Sequence, residues 1–219
     1  MSAGARGLFI SFEGGEASGK TLQARRLASS LRDRGVDVES VREPGGTPAG
    51  ERMREIFLHA KDVKLSVESL ALLVTASRAQ LVREVIRPAL ARGAVVIADR
   101  FFDSTLAYQG YAGGADLDGL RALQRFAVGD TVPDRTFLLD VPVDVIARRR
   151  SGDKDRRWDR FEAEGLEFHA RLRDGYLRLA ASEPLRVVVL RGDRPVDDVA
   201  ADIARETDAL ISVPSTGAE

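Results

Sequence analysis

A glycine-rich segment near the N-terminus has the residue types and spacing of a phosphate-binding loop. It matches the pattern G-x-x-x-x-G-K-[ST], in which glycines let backbone N–H groups turn towards phosphate oxygens. The segment consists of Gly14, Gly15, Glu16, Ala17, Ser18, Gly19, Lys20 and Thr21. An apolar run precedes it and a helical pattern follows, so we expect a helix N-terminus to face the phosphates. The alternative is a glycine-rich turn that matches by chance.

Two polar positions extend this chemistry. The Lys20 ammonium can reach the terminal phosphates of a nucleotide, and the Thr21 hydroxyl suits Mg²⁺. A second apolar run, at 95–98, ends in Asp99 and Arg100. A carboxylate at such a strand end can hold Mg²⁺ directly or through water, and a guanidinium can grip a phosphate through two N–H groups. The alternative is an Asp–Arg pair that merely closes the strand.

The elements that must position these residues alternate along the chain. Short apolar runs at 8–12, 36–41, 95–98, 137–141 and 187–190 indicate buried strands. Helical patterns cover the segment ending at Gly35 and residues 67–91, 117–128, 143–150, 161–181 and 196–210. This alternation predicts an α/β fold with a doubly wound parallel sheet and a ligand site at the strand ends. We expect a single domain over residues 1–211 and a frayed tail at 212–219.

Composition narrows the class of protein. The chain has 219 residues, a net charge of −1 and no cysteine, which excludes disulfides and thiolate metal sites. A net charge near zero provides no bulk field that would collect nucleic acid. The apolar run at 8–12 is too short for a signal peptide or a membrane span. We therefore expect a cytoplasmic protein that binds neither nucleic acid nor membrane.

Four segments taken together resemble the thymidylate kinase family. These are Phe-Glu-Gly at 12–14, Arg-Glu-Pro-Gly-Gly-Thr at 42–47, Ser-Arg-Ala-Gln at 77–80, and Asp-Arg at 99–100 followed by Ser-Thr-Leu-Ala-Tyr-Gln-Gly at 104–110. The resemblance extends from residue 8 to about residue 210. It implies the P-loop nucleoside monophosphate kinase fold, with a five-stranded parallel sheet flanked by helices and a mobile lid. It also implies a homodimer that transfers the γ-phosphate of ATP to dTMP with Mg²⁺, giving dTDP and ADP.

The resemblance also implies roles for individual residues. Lys20 and Thr21 match the groups on the ATP phosphates and the metal. Glu16 matches an acid near the 3′-hydroxyl of the acceptor sugar, and Arg42 and Arg100 match groups on the acceptor phosphate. The alternatives without a functional role are that Glu16 is an exposed loop acid and that Arg42 is a solvated charge.

The implied base and sugar contacts lie on two later segments. Arg78 matches the arginine that reads the base edge, and Thr105 matches a polar position facing the base. Tyr108 matches the ring that lies against the deoxyribose and disfavours a 2′-hydroxyl, with Gln109 beside it. Family members usually carry a phenylalanine that stacks on thymine where this chain has Val74. Alternatively, Arg78 is a solvated charge, Tyr108 is a core aromatic and Val74 is a core residue of an amphipathic helix.

A charged segment at 148–160 corresponds to the lid of the family. The phosphate loop has no arginine between Gly14 and Gly19, whereas some family members supply a catalytic arginine there. Because negative charge develops on the transferred phosphoryl group, some cation must reach it. Arg149, Arg150 and Arg160 are the candidates, and the segment could otherwise be a solvated face. Two competing functions are a kinase for another nucleoside monophosphate and a binding module that has lost catalysis.

Overall fold

Five parallel strands form the sheet in the computed structural model, which describes residues 6–60, 63–151, 160, 161 and 164–212, without the side chains of residues 150, 151 and 212. The order is β2-β3-β1-β4-β5. The strands are β1 (Phe9–Glu13), β2 (Val38–Arg42), β3 (Val95–Asp99), β4 (Arg135–Asp140) and β5 (Val187–Arg191). All five predicted strands are confirmed within a few residues, and so is the parallel sheet.

Helices cover both faces of this sheet. They are α1 (Lys20–Asp33), α2 (Pro48–Leu58), α3 (Val67–Leu81), α4 (Arg87–Ala91), α5 (Phe102–Thr105), α6 (Leu117–Val128), α7 (Val143–Ser151), α8 (Leu166–Ser182) and α9 (Val196–Ser212). A π-helical turn over Val82–Ile86 joins α3 to α4, which confirms the single long helical pattern at 67–91. A second π-helical segment, Leu106–Ala112, continues α5.

Alternating side chains of the central strand serve two cores. Phe9 belongs to the cluster on one face of the sheet, and Ile10 and Phe12 belong to the cluster on the other. All three are fully buried. A strand that is covered on both faces is apolar at every position, and this explains the unbroken apolar runs in the sequence.

The parallel register brings the ends of three strands together. Asp99 on β3 lies beside Phe12 on β1 and beside Arg42 on β2. The phosphate loop leaves the end of β1, the central strand, and leads directly into α1. The loop, the Asp-Arg pair and the segment that follows β2 therefore meet at one edge of the sheet, as expected for a ligand site in a doubly wound fold.

The sequence prediction was wrong at one helix and silent at two. The pattern at 161–181 begins too early, because Phe161 lies in a turn and α8 starts at Leu166, directly after Gly165. Helix α2 and the helical segment from α5 through Ala112 were not predicted. The expected lid falls largely on residues 152–159, and the expected tail on 213–219, and both stretches lie outside the described residues. Within the described ranges, no helix is long and apolar enough to cross a membrane.

Candidate active site

The phosphate loop has the backbone that its glycines predict. Gly14 and Gly19 have φ angles of 139° and 96°, in the region that L side chains rarely adopt. A Cβ atom added to Gly14 would lie 2.6 Å from the Leu139 carbonyl oxygen, so this position also needs a close backbone approach. Gly19 then caps α1, whose first residue is Lys20. The loop therefore curls at the N-terminus of a 14-residue helix, where partial positive charge favours an anion.

Lys20 closes the loop from the inside. Its Nζ donates to the Gly15 carbonyl at 2.7 Å and to Ser18 Oγ at 3.3 Å. Burial and the nearby Arg100 guanidinium lower the pKa of Lys20 to about 8. Carboxylates at Glu16 and Asp99 act in the opposite direction. A phosphate in the loop would add negative charge beside this ammonium and favour its charged form.

A hydroxyl and a carboxylate converge next to Lys20. Thr21 Oγ1 donates to Asp99 Oδ2 at 2.5 Å, across 78 positions of sequence. Hard oxygen ligands of this kind suit Mg²⁺, which usually takes one or two protein oxygens and completes its shell with water and substrate phosphates. Among the described residues, no group of three or more His, Cys, Asp or Glu side chains forms a metal cage. The donor set fits a magnesium ion that arrives with a nucleotide.

Arg100 is the hub of the site. Its backbone is left-handed, with φ of 73°, which is uncommon for a residue other than glycine and is found at functional sites. Its guanidinium donates to Glu16 Oε1 at 2.6 Å, to the Tyr108 hydroxyl at 2.9 Å and to the Gly14 carbonyl at 3.0 Å. The side chain is only 16% exposed. The interpretation of Asp99 and Arg100 as a pair that merely closes the strand does not account for these contacts with the phosphate loop.

Glu16 and Tyr108 complete this hub. The Tyr108 hydroxyl donates to Glu16 Oε1 at 2.5 Å, and the Arg100 guanidinium lies 5.0 Å from the centre of the Tyr108 ring. Phe161 packs edge-on against the same ring, with the ring centres 5.1 Å apart. Tyr108 is therefore buried, as the core alternative requires, but its hydroxyl belongs to the charged centre of the site.

Arg78 is a buried cation rather than a solvated one. It forms an ion pair with Glu43 at 2.6 Å, and the two side chains are 0% and 2% exposed. Its Nη1 also donates to Thr105 Oγ1 at 3.0 Å and to Gln124 Oε1, and its Nη2 lies 3.3 Å from the Phe101 carbonyl oxygen. With the Nε–H on Glu43 at 2.7 Å, the guanidinium donates four hydrogen bonds in addition to its ion pair.

A cavity of about 470 Å³ joins the phosphate loop to this buried pair. It is lined by every loop residue from Glu16 to Thr21 and by Asp99, Arg100, Arg42, Val74, Arg78, Thr105, Tyr108 and Gln109. Val74 is buried at the cavity wall, so it belongs both to the core and to the lining. Arg42 lies at the rim, where its half-exposed side chain pairs with Glu51 at 3.2 Å.

Two of the three lid arginines can be placed. Arg149 donates to the Ala17 carbonyl in the phosphate loop at 3.0 Å and to the Gly192 carbonyl at 2.9 Å. Arg160 donates to the carbonyls of Ala60 and Val63, at 3.0 and 3.1 Å, between α2 and α3. The side chain of Arg150 lies outside the described part of the chain. Arg149 is thus placed at the loop, and Arg160 is placed on another segment.

Sequence reasoning missed three residues of the site. Glu43 anchors Arg78, and Glu13 and Tyr176 meet behind Arg100, where the Tyr176 hydroxyl donates to Glu13 Oε2 at 3.0 Å. Both glutamates stand in segments that carried the family resemblance, at 12–14 and 42–47, but nothing in those segments suggested a role for them. Burial raises the pKa of Glu43, which the Arg78 charge opposes. The signal for a role is therefore a buried acid, which appears only in three dimensions.

The fold and the site together define a class of protein. The phosphate loop lies at the central strand of a parallel sheet, and one cavity continues from that loop to a polar chamber lined by Arg78, Thr105 and Gln109. This is the arrangement of a P-loop nucleoside monophosphate kinase. The family model described as thymidylate kinase matches residues 12–203.

Curated relatives and a solved structure agree with this match. The thymidylate kinase of Caulobacter vibrioides is 47% identical over 199 residues, 91% of this chain and 95% of that relative. The thymidylate kinase of Magnetococcus marinus is 46% identical over 210 residues, 95% of this chain and 99% of that relative. The crystal structure of thymidylate kinase from Ehrlichia chaffeensis aligns with a TM-score of 0.75 and 33% identity, covering 92% and 99% of the two chains. The chain belongs to the thymidylate kinase family, a family of phosphotransferases that transfer the γ-phosphate of ATP to dTMP.

Proposed function

We propose that this chain phosphorylates dTMP within the described cavity, with ATP on the phosphate loop and the acceptor in the chamber beyond Arg100. The observation that carries the proposal is the continuity of the cavity from Lys20 to Arg78 past Arg100. A donor phosphate on the loop and an acceptor phosphate at Arg100 would then lie within one cavity. Positioning and electrostatic stabilisation account for most of the catalysis of phosphoryl transfer.

The donor half is proposed to work through the loop. Backbone N–H groups of residues 14–21 hold the phosphates, and Lys20 would exchange its present acceptors, Gly15 and Ser18, for phosphate oxygens. Thr21 and Asp99 would hold Mg²⁺, which supplies charge neutralisation at the phosphates when it is bound. Because their oxygens already meet at 2.5 Å, this pair needs only to open around the ion.

The acceptor nucleotide is proposed to bind along the segments that contact Arg100. Arg100 and Arg42 would bind the acceptor phosphate, Glu16 the 3′-hydroxyl and Tyr108 the deoxyribose face. At the base end Val74, Gln109 and Thr105 line the wall.

Thr105 is proposed to contribute the hydrogen bond that fits the geometry of the base end best. Its oxygen accepts from Arg78, so its own hydrogen is left to donate to a carbonyl oxygen of the base. Arg78, which the family resemblance assigns to the base edge, already donates four hydrogen bonds and pairs with Glu43, so it would have to release one of these contacts to read the base directly.

Arg149 is proposed as the lid arginine that reaches the transferred phosphoryl group, since its guanidinium already touches the loop. Substituting Arg149, Arg150 and Arg160 one at a time by alanine separates the candidates. The catalytic one should lower kcat more than it weakens ATP binding, because it acts on charge that develops in the transition state. A structure with a transition-state mimic in which Arg149 stays on Ala17 and Gly192 would refute the assignment.

The chain is proposed to act as a homodimer, as one domain over residues 1–211 and in the cytoplasm. Helices α3 and α6 pack on each other and carry two strongly exposed apolar side chains, Leu72 at 58% and Phe126 at 90%. Large exposed apolar side chains on neighbouring elements are typical of protein interfaces. Sedimentation should give a dimer for the native chain and a monomer for Phe126→Asp, whereas an unchanged dimer would move the interface elsewhere.

A steady-state assay with ATP, Mg²⁺ and a panel of dTMP, dUMP, dCMP, dGMP and AMP tests the proposed function. We expect dTMP to have the highest kcat/KM and Lys20→Ala to lose at least tenfold in rate, since a tenfold loss is only about 1.4 kcal/mol of barrier. A preference for another monophosphate would favour the rival kinase function, which the valine at position 74 leaves open. A folded native chain without transfer to any acceptor would favour a binding module.

A further inference from the structure

A buried glutamate behind Arg100 accepts three hydrogen bonds from groups that adjoin that arginine. Glu13 ends the central strand β1 and is fully buried. One of its oxygens, Oε1, accepts the backbone N–H of Phe101 at 2.7 Å. The other, Oε2, accepts the hydroxyls of Ser104 at 2.6 Å and Tyr176 at 3.0 Å. Both oxygens of the carboxylate therefore act as acceptors, and each of their partners also adjoins Arg100.

The two hydroxyls connect the carboxylate to the guanidinium. Arg100 Nη1 lies 3.2 Å from Ser104 Oγ and 3.2 Å from the Tyr176 hydroxyl oxygen. Each hydroxyl has one hydrogen, and the two oxygens are 2.9 Å apart. When both hydrogens point to Glu13, both oxygens present lone pairs to Arg100. The acceptor at Glu13 thus sets the direction in which two neutral hydroxyls face the cation.

The backbone contact acts on the same residue. Phe101 follows Arg100 directly, and its N–H belongs to the peptide unit on the C-terminal side of Arg100, whose backbone is left-handed with φ of 73°. Such a conformation is strained in residues other than glycine and persists only when neighbouring contacts hold it. Helix α8 supplies Tyr176, α5 supplies Phe102 to Thr105, and β1 supplies Glu13, so three elements converge on one arginine.

We propose that Glu13 is a positioning residue for Arg100, which it orients through the Ser104 and Tyr176 hydroxyls and through the Phe101 N–H. This inference rests on the proposed function, in which Arg100 binds the acceptor phosphate. Glu13 does not touch the acceptor itself. Its effect is to present Arg100 to the acceptor in one geometry, so it should govern dTMP binding rather than ATP binding.

The charges around Glu13 are compatible with this role. Burial first and the Asp103 carboxylate second raise the pKa of Glu13 to about 7, whereas the Arg100 charge and the bonds from Ser104 and Phe101 lower it. Lys20 faces the same carboxylate from the phosphate loop, and Tyr176 faces it from α8. The contacts that favour the ionised form are therefore those that connect Glu13 to Arg100.

Glu13→Gln tests the proposal with little change of shape. The amide oxygen can still accept the Phe101 N–H, but the NH₂ group donates where Oε2 accepts. The hydroxyl hydrogens of Ser104 and Tyr176 then lose their acceptor and are turned towards Arg100. We expect the KM for dTMP to rise about tenfold, equivalent to about 1.4 kcal/mol, and the KM for ATP to change less than about twofold. An equal rise in both constants would indicate a merely structural role.

A double-mutant cycle separates the hydroxyl connection from general packing. Tyr176→Phe removes one hydroxyl and keeps the ring, and Tyr111→Phe is the matched control, since Tyr111 packs against Gly175 of the same helix without a part in this cluster. If Glu13 acts through Tyr176, Glu13→Gln should raise the dTMP KM clearly less in the Tyr176→Phe background than in the native one. Independent effects that multiply would overturn the proposal.

The remaining outcomes are also decisive. If Glu13→Gln does not fold by circular dichroism, Tyr176→Phe and Ser104→Ala take its place, and each should raise the dTMP KM while Tyr111→Phe does not. No rise in either variant overturns the positioning role. Native protein that does not phosphorylate dTMP would instead refute the proposed function. If the native protein phosphorylates dTMP but the effects of Glu13→Gln and Tyr176→Phe on the dTMP KM simply multiply, the positioning role of Glu13 is refuted and the proposed function stands.

Discussion

Replacing Arg78 by methionine should destabilise the protein by about 3–5 kcal/mol, the range for breaking a buried ion pair by removing one partner. The figure applies because the Arg78 and Glu43 side chains are 0% and 2% exposed. Methionine fills much of the same volume, so the change removes a charge rather than opening a large cavity. Glu43 is then left in the core without its cation, and Thr105 and Gln124 lose a donor. The cost therefore comes from desolvated groups without partners.

Urea unfolding followed by circular dichroism measures this cost. With a slope of about 3 kcal/mol/M, a loss of about 3–5 kcal/mol moves the midpoint by about 1–1.7 M. The matched control is Arg92→Met, which removes another paired arginine. Arg92 pairs with the carboxylates of Asp37 and Glu39, but its side chain is 44% exposed. Because solvent screens exposed pairs of this kind, Arg92→Met should shift the midpoint far less than Arg78→Met. Equal shifts in the two variants would refute the reasoning.

The pH dependence of the same variant gives a second check. The Arg78 charge lowers the pKa of Glu43 against a larger effect of burial, so its removal raises that pKa further. A carboxyl group whose folded pKa lies above its unfolded value stabilises the fold at low pH, and this contribution is lost as pH rises through the folded pKa. Arg78→Met should therefore be less destabilising at about pH 5 than at about pH 8. A pH-independent difference would mean that Glu43 does not carry the cost.

Three further predictions concern single residues. Tyr108→Ala should reduce the preference for dTMP over its ribose counterpart, whereas Tyr108→Phe should retain that preference. A site that cannot pair a hydroxyl discriminates by roughly tens to hundreds-fold. Equal discrimination in Tyr108→Ala and native protein would mean that the ring only packs in the core. Val74→Phe should lower the dTMP KM by roughly two- to tenfold at nearly constant kcat, because an aromatic contact is worth about 0.5–1.5 kcal/mol beyond its area, and a stable variant with an unchanged KM would show that position 74 does not face the base. The pKa of Glu13 is raised from 4.5 to about 7. The free energy of unfolding of the native protein should therefore fall by about 3 kcal/mol relative to that of Glu13→Gln as pH rises across that interval. Urea midpoints of the two proteins that change in parallel across the interval would contradict this prediction.

The sequence predicted those parts of the fold that depend on local pattern. The strands are continuous apolar runs because helices cover both faces of the sheet, and the phosphate loop is a contiguous motif, so both were read directly. The segment from α5 through Ala112 was missed because most of its residues are buried, which removes the amphipathic stripe that marks a helix. Helix α2 was missed because few of its residues are buried, namely Gly50, Phe57 and Leu58.

The candidate site divides in the same way. Lys20, Thr21, Asp99 and Arg100 stand in short segments whose residue types already suggest phosphate and metal chemistry. The residues behind them could not be read from the sequence, because their partners are distant. Glu13 and Tyr176 are 163 positions apart. The four hydrogen bonds of Arg78 are likewise a property of packing, since its partners come from three separate parts of the chain, at Glu43, at 101–105 and at Gln124.

If Arg100 binds the acceptor phosphate as proposed, its ion pair with Glu16 makes acceptor binding an exchange of anions. In the structure the Glu16 carboxylate pairs with this guanidinium at 2.6 Å. An arriving phosphate would then displace this internal counterion, and the displaced carboxylate would stay tethered by one short loop next to the incoming sugar. Recognition of the phosphate and delivery of the acid to the sugar would therefore occur as one event. A nucleoside without its phosphate would leave the pair closed, and would find the acid still held by its own arginine.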